Sequence, residues 1–147
     1  MSAASTSPAR THTVLVYSDD PKLREAVRTA VGRRPAGDLG RVEYVEAADK
    51  LHLLQAIDAG GIDVVVLDGE ARPTGGMGLA KQLKDELADC PPTLVLVARK
   101  GDAWLASWSL ADAVQPLPVD PFGLTEAVVG LIRHRDAALP VRRAAAV

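Results

Sequence analysis

The chain has 147 residues and a mass of 15.5 kDa, which is the size of one ordinary domain. Apolar residues make up 48% and charged residues 24%, values typical of a globular protein that needs neither disulfides nor metals to fold. The net charge of −2 excludes a generally basic nucleic-acid-binding surface, and the one cysteine, Cys90, excludes a disulfide framework and a cysteine-cluster zinc site.

We expect neither a membrane segment nor a secretion signal. The longest interior apolar runs of the sequence, which lie within residues 62–67 and 93–98, are strand-sized and far shorter than the roughly 20 residues of a membrane span. Residues 1–11 are small and polar and predict a disordered lead-in, and residues 137–147 predict a flexible tail. We therefore expect one domain over residues 12–136 of a cytoplasmic protein.

The first half of the chain predicts two strand–helix units. Residues 13–17 form an unbroken β-branched and aliphatic run, which is typical of a buried strand. Asp20 and Pro21 then predict a helix N-cap with proline at the first helical position, and apolar residues follow at helical spacing. The next loop, strand and helix are predicted over residues 32–40, 42–45 and 49–59.

The second half predicts three more units, with strands over residues 62–67, 93–98 and 113–119 and helices over residues 79–87, 102–111 and 124–133. The loop over residues 69–78 is rich in glycine but lacks a Walker lysine, so it predicts a flexible connector rather than a phosphate-binding loop. Pro116 and Pro118 remove donors from the fifth strand, so this strand is expected at an edge of the sheet.

Strand and helix thus alternate five times, and the strands are nearly unbroken apolar runs. Such strands are buried on both faces, which requires helices on both sides of a parallel sheet. We therefore expect a single-domain α/β protein: a (βα)5 three-layer sandwich around a five-stranded parallel sheet.

Acidic residues follow several of the predicted strands. The functional site of such a sheet lies beyond the carboxyl ends of its strands, where the chain places Ser18, Asp19, Asp20, Asp68, Glu70 and Asp120. Carboxylates there argue against a dinucleotide site, which needs glycines and a helix N-terminus to receive phosphate. No nucleophile, base and orienting group assemble elsewhere in the sequence, so we expect no enzyme.

Four segments resemble the receiver domain of the response regulators of two-component signalling: VLVYSDDPKLRE, DVVVLDGE, GMGLAKQLK and PVDPFGL. The resemblance spans about residues 12–134 and implies the flavodoxin-like strand order 2-1-3-4-5. It also implies a chemistry, the transfer of a phosphoryl group from a phosphohistidine to an aspartate. In the family this transfer is aided by a divalent cation and a lysine, and a hydroxyl then grasps the phosphoryl group.

The resemblance assigns part of this machinery to residues of the chain. Asp68 matches the phospho-acceptor at the end of the third strand, and Asp19 matches the second of two paired metal-binding acids. Glu70 falls where the family supplies a backbone carbonyl ligand. The resemblance therefore implies that Asp19, Asp68 and Glu70 could hold Mg²⁺, although no cofactor is required.

The remaining machinery is altered. Ser18 stands in place of the first acid of the pair, and Val97 stands in place of the switch Ser or Thr. Asp120 is matched to the lysine that precedes a proline, and Leu117 to the rotating aromatic residue of the fifth strand. The resemblance also implies that the peptide bond before Pro121 is cis.

These departures leave three alternatives for the site. Asp19, Asp68 and Asp120 would converge within several ångström, and a phosphoryl group on Asp68 would face a carboxylate instead of a lysine. The site is then a degenerate pocket without a ligand, a residual cation site, or a phosphorylatable site that tolerates the changes.

The two tryptophans suggest an interaction surface. Trp104 and Trp108 are four residues apart on the fourth predicted helix and share one face. In the family, the fourth helix, fifth strand and fifth helix form the output and dimer surface, and tryptophan is favoured at such surfaces. We therefore predict that Trp104, Trp108 and Leu117 form a surface for a protein partner or a homodimer.

The resulting functional hypothesis is an atypical stand-alone response regulator that acts by protein–protein interaction, independently of conventional aspartyl phosphorylation. One alternative is a phosphorylatable receiver with Asp68 as acceptor and a histidine kinase as partner. Another is a pseudo-receiver that senses a small molecule. Neither nucleic acid nor a membrane is expected as a partner.

Overall fold

The computed structural model describes residues 10–99, 102, 104 and 108–146, with side chains through residue 137. Its strands are β1 (His12–Tyr17), β2 (Val42–Ala47), β3 (Val64–Asp68), β4 (Thr93–Val97) and β5 (Ala113–Pro116). Its helices are α1 (Pro21–Val31), α2 (Lys50–Asp58), α3 (Gly76–Glu86) and the C-terminal helix (Pro121–Ala146). No helix in the described part of the chain combines the length and apolar character that crossing a membrane requires.

The strands form one parallel sheet in the order β2-β1-β3-β4-β5, which confirms the predicted fold and strand order. Leu15 lies opposite Val65 in the register, and Val65 lies opposite Thr93. Every residue of β3 and β4 is buried. Burial on both faces explains why these strands are runs of aliphatic residues without polar alternation.

The core consists of two layers, one on each face of the sheet. Val14, Val66 and Leu94 pack on one face against α1 and the C-terminal helix, which contributes Val128 and Ile132. Neighbouring strand residues such as Leu15, Val65 and Val95 point to the other face and pack with Leu53 of α2 and Leu79 of α3. This division follows from the alternation of side chains along a strand.

Asp20 caps α1 as predicted, because its carboxylate accepts the backbone N–H of Lys22 at 2.9 Å and Pro21 occupies the first turn. The start of α3 differs from the prediction, since this helix begins at Gly76 rather than at residue 79. Gly76 is buried, and a Cβ there would lie 2.7 Å from the carbonyl oxygen of Asp68. Only glycine therefore allows α3 to begin so close to the end of β3.

The two ends of the domain also differ from the prediction. Arg10, placed in the disordered lead-in, is described and forms ion pairs with Asp63 at 2.7 Å and Asp136 at 2.8 Å. Residues 1–9 lie outside the described residues. The C-terminal helix runs to Ala146, through Pro140, over residues where a flexible tail was predicted.

The sides of α2 provide a test of the core assignment. Leu53 is fully buried, whereas Leu51 is 63% exposed on the same helix. We expect Leu53→Ala to lower the free energy of unfolding by about 2–5 kcal/mol, because it removes buried methyl groups and leaves a cavity. We expect Leu51→Ala to change it by less than about 0.5 kcal/mol. Urea denaturation measures both, and equal effects would contradict the assignment.

Candidate functional site

The carboxyl ends of the strands bring together Ser18, Asp68, Val97 and Leu117. Ser18 directly follows β1, and its N–H donates to the carbonyl of Ala47 at 3.1 Å. Asp68 is the last residue of β3, and Val97 is the last residue of β4. Leu117 directly follows β5, and its N–H donates to the carbonyl of Val97 at 2.7 Å. The sheet therefore fixes the backbone of all four residues.

Asp68 is a buried carboxylate with neutral hydrogen-bond partners. Its side chain is 4% exposed, so both of its oxygens need donors. The hydroxyl of Ser18 donates to Oδ2 at 2.7 Å, and the backbone N–H of Glu70 donates to Oδ1 at 2.8 Å. No arginine or lysine among the described residues forms an ion pair with Asp68.

Ser18 is itself held in place by two further contacts. Its Oγ accepts the N–H of Asp20 at 3.0 Å, and this contact leaves the hydroxyl hydrogen for Asp68. Its carbonyl accepts Nη1 of Arg24 at 2.6 Å. Ser18 is 1% exposed, so it occupies the interior of the site where the resemblance expects a charged acid. Sequence spacing could not reveal this pairing, because Ser18 and Asp68 are 50 residues apart.

The loop after β3 is anchored to the sheet at two points. The N–H of Gly69 donates to the carbonyl of Leu96 at 2.8 Å, and a Cβ on Gly69 would lie 2.5 Å from that oxygen. The hydroxyl of Tyr17 donates to the carbonyl of Thr74 at 2.6 Å. Burial raises the pKa of Tyr17, with a further contribution from the charges of Asp19 and Asp68, so this hydroxyl stays protonated and keeps donating.

Of the predicted Mg²⁺ ligands, Asp68 is buried, whereas the side chain of Asp19 is exposed. Oδ1 of Asp19 accepts the N–H of Arg72 at 3.1 Å. The side chain of Glu70 is exposed as well. Nowhere in the described part of the chain do three or more His, Cys, Asp or Glu side chains form a group able to hold a metal ion. The cation that the resemblance implies would therefore depend on two carboxylates, those of Asp19 and Asp68, and on the backbone carbonyl of Glu70.

The predicted position of Asp120 directly after β5 is wrong. Asp120 caps the C-terminal helix: its Oδ2 accepts the N–H of Gly123 at 3.3 Å, and its carbonyl accepts the N–H of Leu124 at 2.9 Å. The strand β5 ends at Pro116, three residues earlier than predicted, because prolines cannot donate to the ladder. Leu117, not Asp120, therefore stands at the end of β5.

The predicted cis bond before Pro121 is also wrong. The cis bonds of the described chain precede Pro73 and Pro118. Pro121 begins the C-terminal helix as Pro21 begins α1, a position that suits the fixed φ of proline. The two Asp-Pro pairs of the sequence therefore play the same capping role. The prolines on either side of Leu117 were the signal that β5 ends there.

The ends of β4 and β5 contribute apolar side chains. Val97 is 1% exposed and belongs to the core beside α2 and α3, so it offers no hydroxyl. Leu117 is half-buried and packs against the core on the opposite face of the sheet. Leu117 is thus a packing residue, and its predicted place on the exposed partner surface is not supported.

The tryptophans are exposed, whereas residues 103 and 105–107 of the predicted helix over residues 102–111 lie outside the described residues. Trp104 is 69% exposed and Trp108 is 57% exposed. Nζ of Lys81, on α3, lies 5.7 Å from the centre of the Trp108 ring, which is within the range of a cation–π contact. Leu110 nearby is also exposed, so several large apolar side chains face solvent here.

Comparisons with known proteins relate the chain to response regulatory proteins, although one of the comparisons finds no match. No family model matches the chain. It is 56% identical over 120 residues to an uncharacterized response regulatory protein of Mycobacterium tuberculosis strain CDC 1551, which covers 82% of this chain and 90% of that protein. The same values hold for an uncharacterized response regulatory protein of strain H37Rv.

Solved structures agree with this relationship at the level of the fold. The receiver domain of a Francisella response regulator has a TM-score of 0.71 at 22% identity and covers 84% of this chain and 98% of its own. A CheY-like receiver domain protein from Methanospirillum hungatei has a TM-score of 0.68 at 16% identity and covers 88% and 99%. A Thermotoga maritima response regulator in complex with Mg²⁺-BeF has a TM-score of 0.67 at 25% identity and covers 82% and 98%.

Restoring an acid at position 18 tests the geometry of the site. Ser18→Asp would place a second carboxylate beside Asp68, and two such charges about 5 Å apart repel by roughly 3 kcal/mol at an effective dielectric of about 20. We expect this variant to melt at a lower temperature than the wild type and to regain stability with Mg²⁺, which prefers carboxylate ligands.

Ser18→Asn is the control for this experiment, because it has the size of the aspartate variant without its charge. We expect Mg²⁺ to leave its melting temperature unchanged. A Ser18→Asp protein that melts like the wild type and ignores Mg²⁺ would contradict the placement of residue 18 against Asp68.

Proposed function

Because the chain belongs to the response regulators of two-component signalling and has their receiver fold, we propose that it signals in the cytoplasm through protein contacts, without the conventional aspartyl phosphorylation switch. The observation that carries the proposal is the neutral surrounding of Asp68. A hydroxyl and a backbone amide occupy its two oxygens, and no cation among the described residues pairs with it.

Phosphoryl transfer to this carboxylate would lack its usual support. Catalysis of such transfers depends on positive charge around the phosphoryl group, supplied by metal ions and basic side chains. The side chains at the ends of β4 and β5 are Val97 and Leu117, which provide neither charge nor a hydrogen-bond donor. A phosphoryl group on Asp68 would also have to displace the hydrogen bond from Ser18.

The exposed tryptophans support the protein-contact half of the proposal. Large aromatic side chains dominate binding energy where they become buried at an interface. Trp104 and Trp108 are 69% and 57% exposed, and Nζ of Lys81 lies 5.7 Å from the centre of the Trp108 ring. We propose that they contact a protein partner, a second copy of the chain included, and that the chain catalyses no reaction of its own.

A phosphorylatable receiver is the second candidate, and the presence of both Asp68 and Asp19 favours it. These residues match the acceptor and one metal-binding acid of the family. On this view a histidine kinase is the partner, and Mg²⁺ binds only together with the phosphoryl group.

Thermal melts with Mg²⁺ and beryllofluoride, which mimics an aspartyl phosphate, distinguish the two candidates. We expect no change in the melting temperature of the wild type. A ligand that binds only the folded state at about 100 times its dissociation constant would add roughly 2.7 kcal/mol, which a melt detects easily. A beryllofluoride-dependent rise in the wild type that is absent in Asp68→Asn would overturn the proposal and support the phosphorylatable receiver.

The matched positive control restores the missing groups. We expect the combined variant Ser18→Asp, Val97→Thr and Leu117→Lys to gain a beryllofluoride-dependent rise, because it supplies an acid, a hydroxyl and a cation at the carboxyl ends of β1, β4 and β5. Adding Asp68→Asn to this variant should abolish the rise. A combined variant that folds yet does not respond would show that these three positions do not limit phosphate binding.

Sedimentation velocity tests whether the tryptophan surface pairs two copies of the chain. We expect the wild type to show a concentration-dependent dimer and the double variant Trp104→Ala, Trp108→Ala to stay monomeric, because the exposed rings supply the buried apolar area. Phe122→Ala is the control, since Phe122 is 90% exposed and is a different apolar residue. Dimers that persist in the double variant would place the interface elsewhere.

A further inference from the structure

A polar concavity separate from the Asp68 site lies between the C-terminal end of α1 and the edge strand β2. Its volume is about 440 Å³, and its lining includes three arginines together with Thr29, Gly32 and Tyr44. This volume falls in the range of about 300–1,000 Å³ that is typical of small-molecule sites. None of these residues belongs to the Asp68 site, so the concavity is a separate candidate for ligand binding.

The three arginines come from three different parts of the chain. Arg28 lies in the last turn of α1, Arg33 lies in the loop that follows, and Arg41 directly precedes β2. Arg33 and Arg41 form no ion pair with any carboxylate in the described ranges. Two guanidinium groups that form no ion pair thus line the same concavity, and an anionic ligand would neutralise their positive charge.

Arg28 has an unused donor here as well. Its Nε is buried and makes no hydrogen bond, although it lies 3.3 Å from Oε2 of Glu46. Glu46 is already bound by Arg24, whose Nε donates to Oε1 at 2.9 Å. The Nε of Arg28 is therefore ion-paired with Glu46 but not hydrogen-bonded, which is unfavourable for a buried donor. An oxyanion in the concavity could accept from it without leaving Glu46 unpaired.

Two carboxylates also line the concavity, and neither cancels the unpaired arginines. Glu46 is neutralised by Arg24 and Arg28. Glu43 is exposed and lies on the face of β2 opposite to that of Tyr44 and Glu46, because side chains alternate along a strand. Three arginines and two carboxylates leave the lining of the concavity with a formal charge of +1.

The wall of the concavity is held in shape before any ligand binds. The hydroxyl of Tyr44 donates to the carbonyl of Gly32 at 2.5 Å, and the N–H of Val42 donates to the carbonyl of Arg33 at 2.7 Å. Burial raises the pKa of Tyr44 to about 12, so its hydroxyl remains a donor at physiological pH. These two hydrogen bonds fix the loop after α1 to β2. They therefore lower the conformational entropy that the loop would lose when a ligand binds.

We propose that this concavity binds a small phosphate-bearing molecule through Arg28, Arg33 and Arg41. A guanidinium group donates two parallel hydrogen bonds to phosphate oxygens, and three such groups from different directions match a phosphoryl dianion better than a planar carboxylate. Binding would satisfy the buried Nε of Arg28 and neutralise the two unpaired arginines. The proposal does not depend on the proposed function, since it involves neither Asp68 nor the tryptophans.

Isothermal titration calorimetry at low ionic strength tests the proposal with inorganic phosphate, pyrophosphate, adenosine monophosphate and citrate as probes. We expect pyrophosphate or adenosine monophosphate to bind the wild type and each of Arg33→Gln and Arg41→Gln to weaken that binding by about tenfold, the loss typical of one charge-assisted hydrogen bond. Amide shifts in NMR should map to Gly32, Arg33 and Tyr44. Binding of inorganic phosphate alone would identify free phosphate as the ligand.

Arg34→Gln is the matched control, because Arg34 is exposed next to Arg33 but does not line the concavity. We expect it to bind the probes like the wild type. Equal weakening by Arg34→Gln would reveal general charge attraction and overturn the proposal. Absence of binding by every phosphate probe, or binding of citrate as tight as that of pyrophosphate, would overturn it as well. Circular dichroism of each variant confirms that it is folded.

Discussion

A carboxylate buried at the end of a central strand must find hydrogen-bond donors, and much of the site is organised around how Asp68 finds them. Because Ser18 supplies one donor, Ser18 must be buried and correctly turned, which the N–H of Asp20 and the guanidinium of Arg24 achieve. Because a backbone amide supplies the other, the loop must leave β3 in a tight turn. The glycines at 69 and 76 permit that turn, since a side chain at either position would collide with backbone carbonyls.

The same parallel sheet that buries Asp68 also confines the polar side chains to the ends of its central strands. At the opposite end, Arg10 bridges Asp63 and Asp136, and Nε2 of His12 lies 2.8 Å from Asp136. Asp63 also accepts the N–H of Thr13 at 2.9 Å. This cluster attaches the C-terminal helix to β1 and β3, so the helix that begins at the Asp68 end is held at both ends of the sheet.

Much of this fold could be predicted from the sequence, because continuous aliphatic runs specify a sheet buried on both faces and Asp68 had to follow the third of them. The end of β5 was less predictable. An Asp-Pro pair is equally compatible with a strand end and a helix cap, and only the hydrogen bond from Leu117 to Val97 shows that Asp120 is the cap. The pairing of Ser18 with Asp68 depends on tertiary structure alone.

The two sites of the domain are joined by an unbroken series of polar contacts along the edge of the sheet. Ser18 donates to Asp68 and accepts Arg24 through its carbonyl, Arg24 donates to Glu46, and Glu46 lies 3.3 Å from Nε of Arg28 in the arginine-lined concavity. An anion bound there would compete with Glu46 for Arg28. Glu46 would then rely on Arg24 alone, the residue that also holds Ser18. This series runs through α1 and the carboxyl ends of β1 and β2, whereas the ends of β4 and β5 contribute the apolar side chains of Val97 and Leu117 to the two core layers.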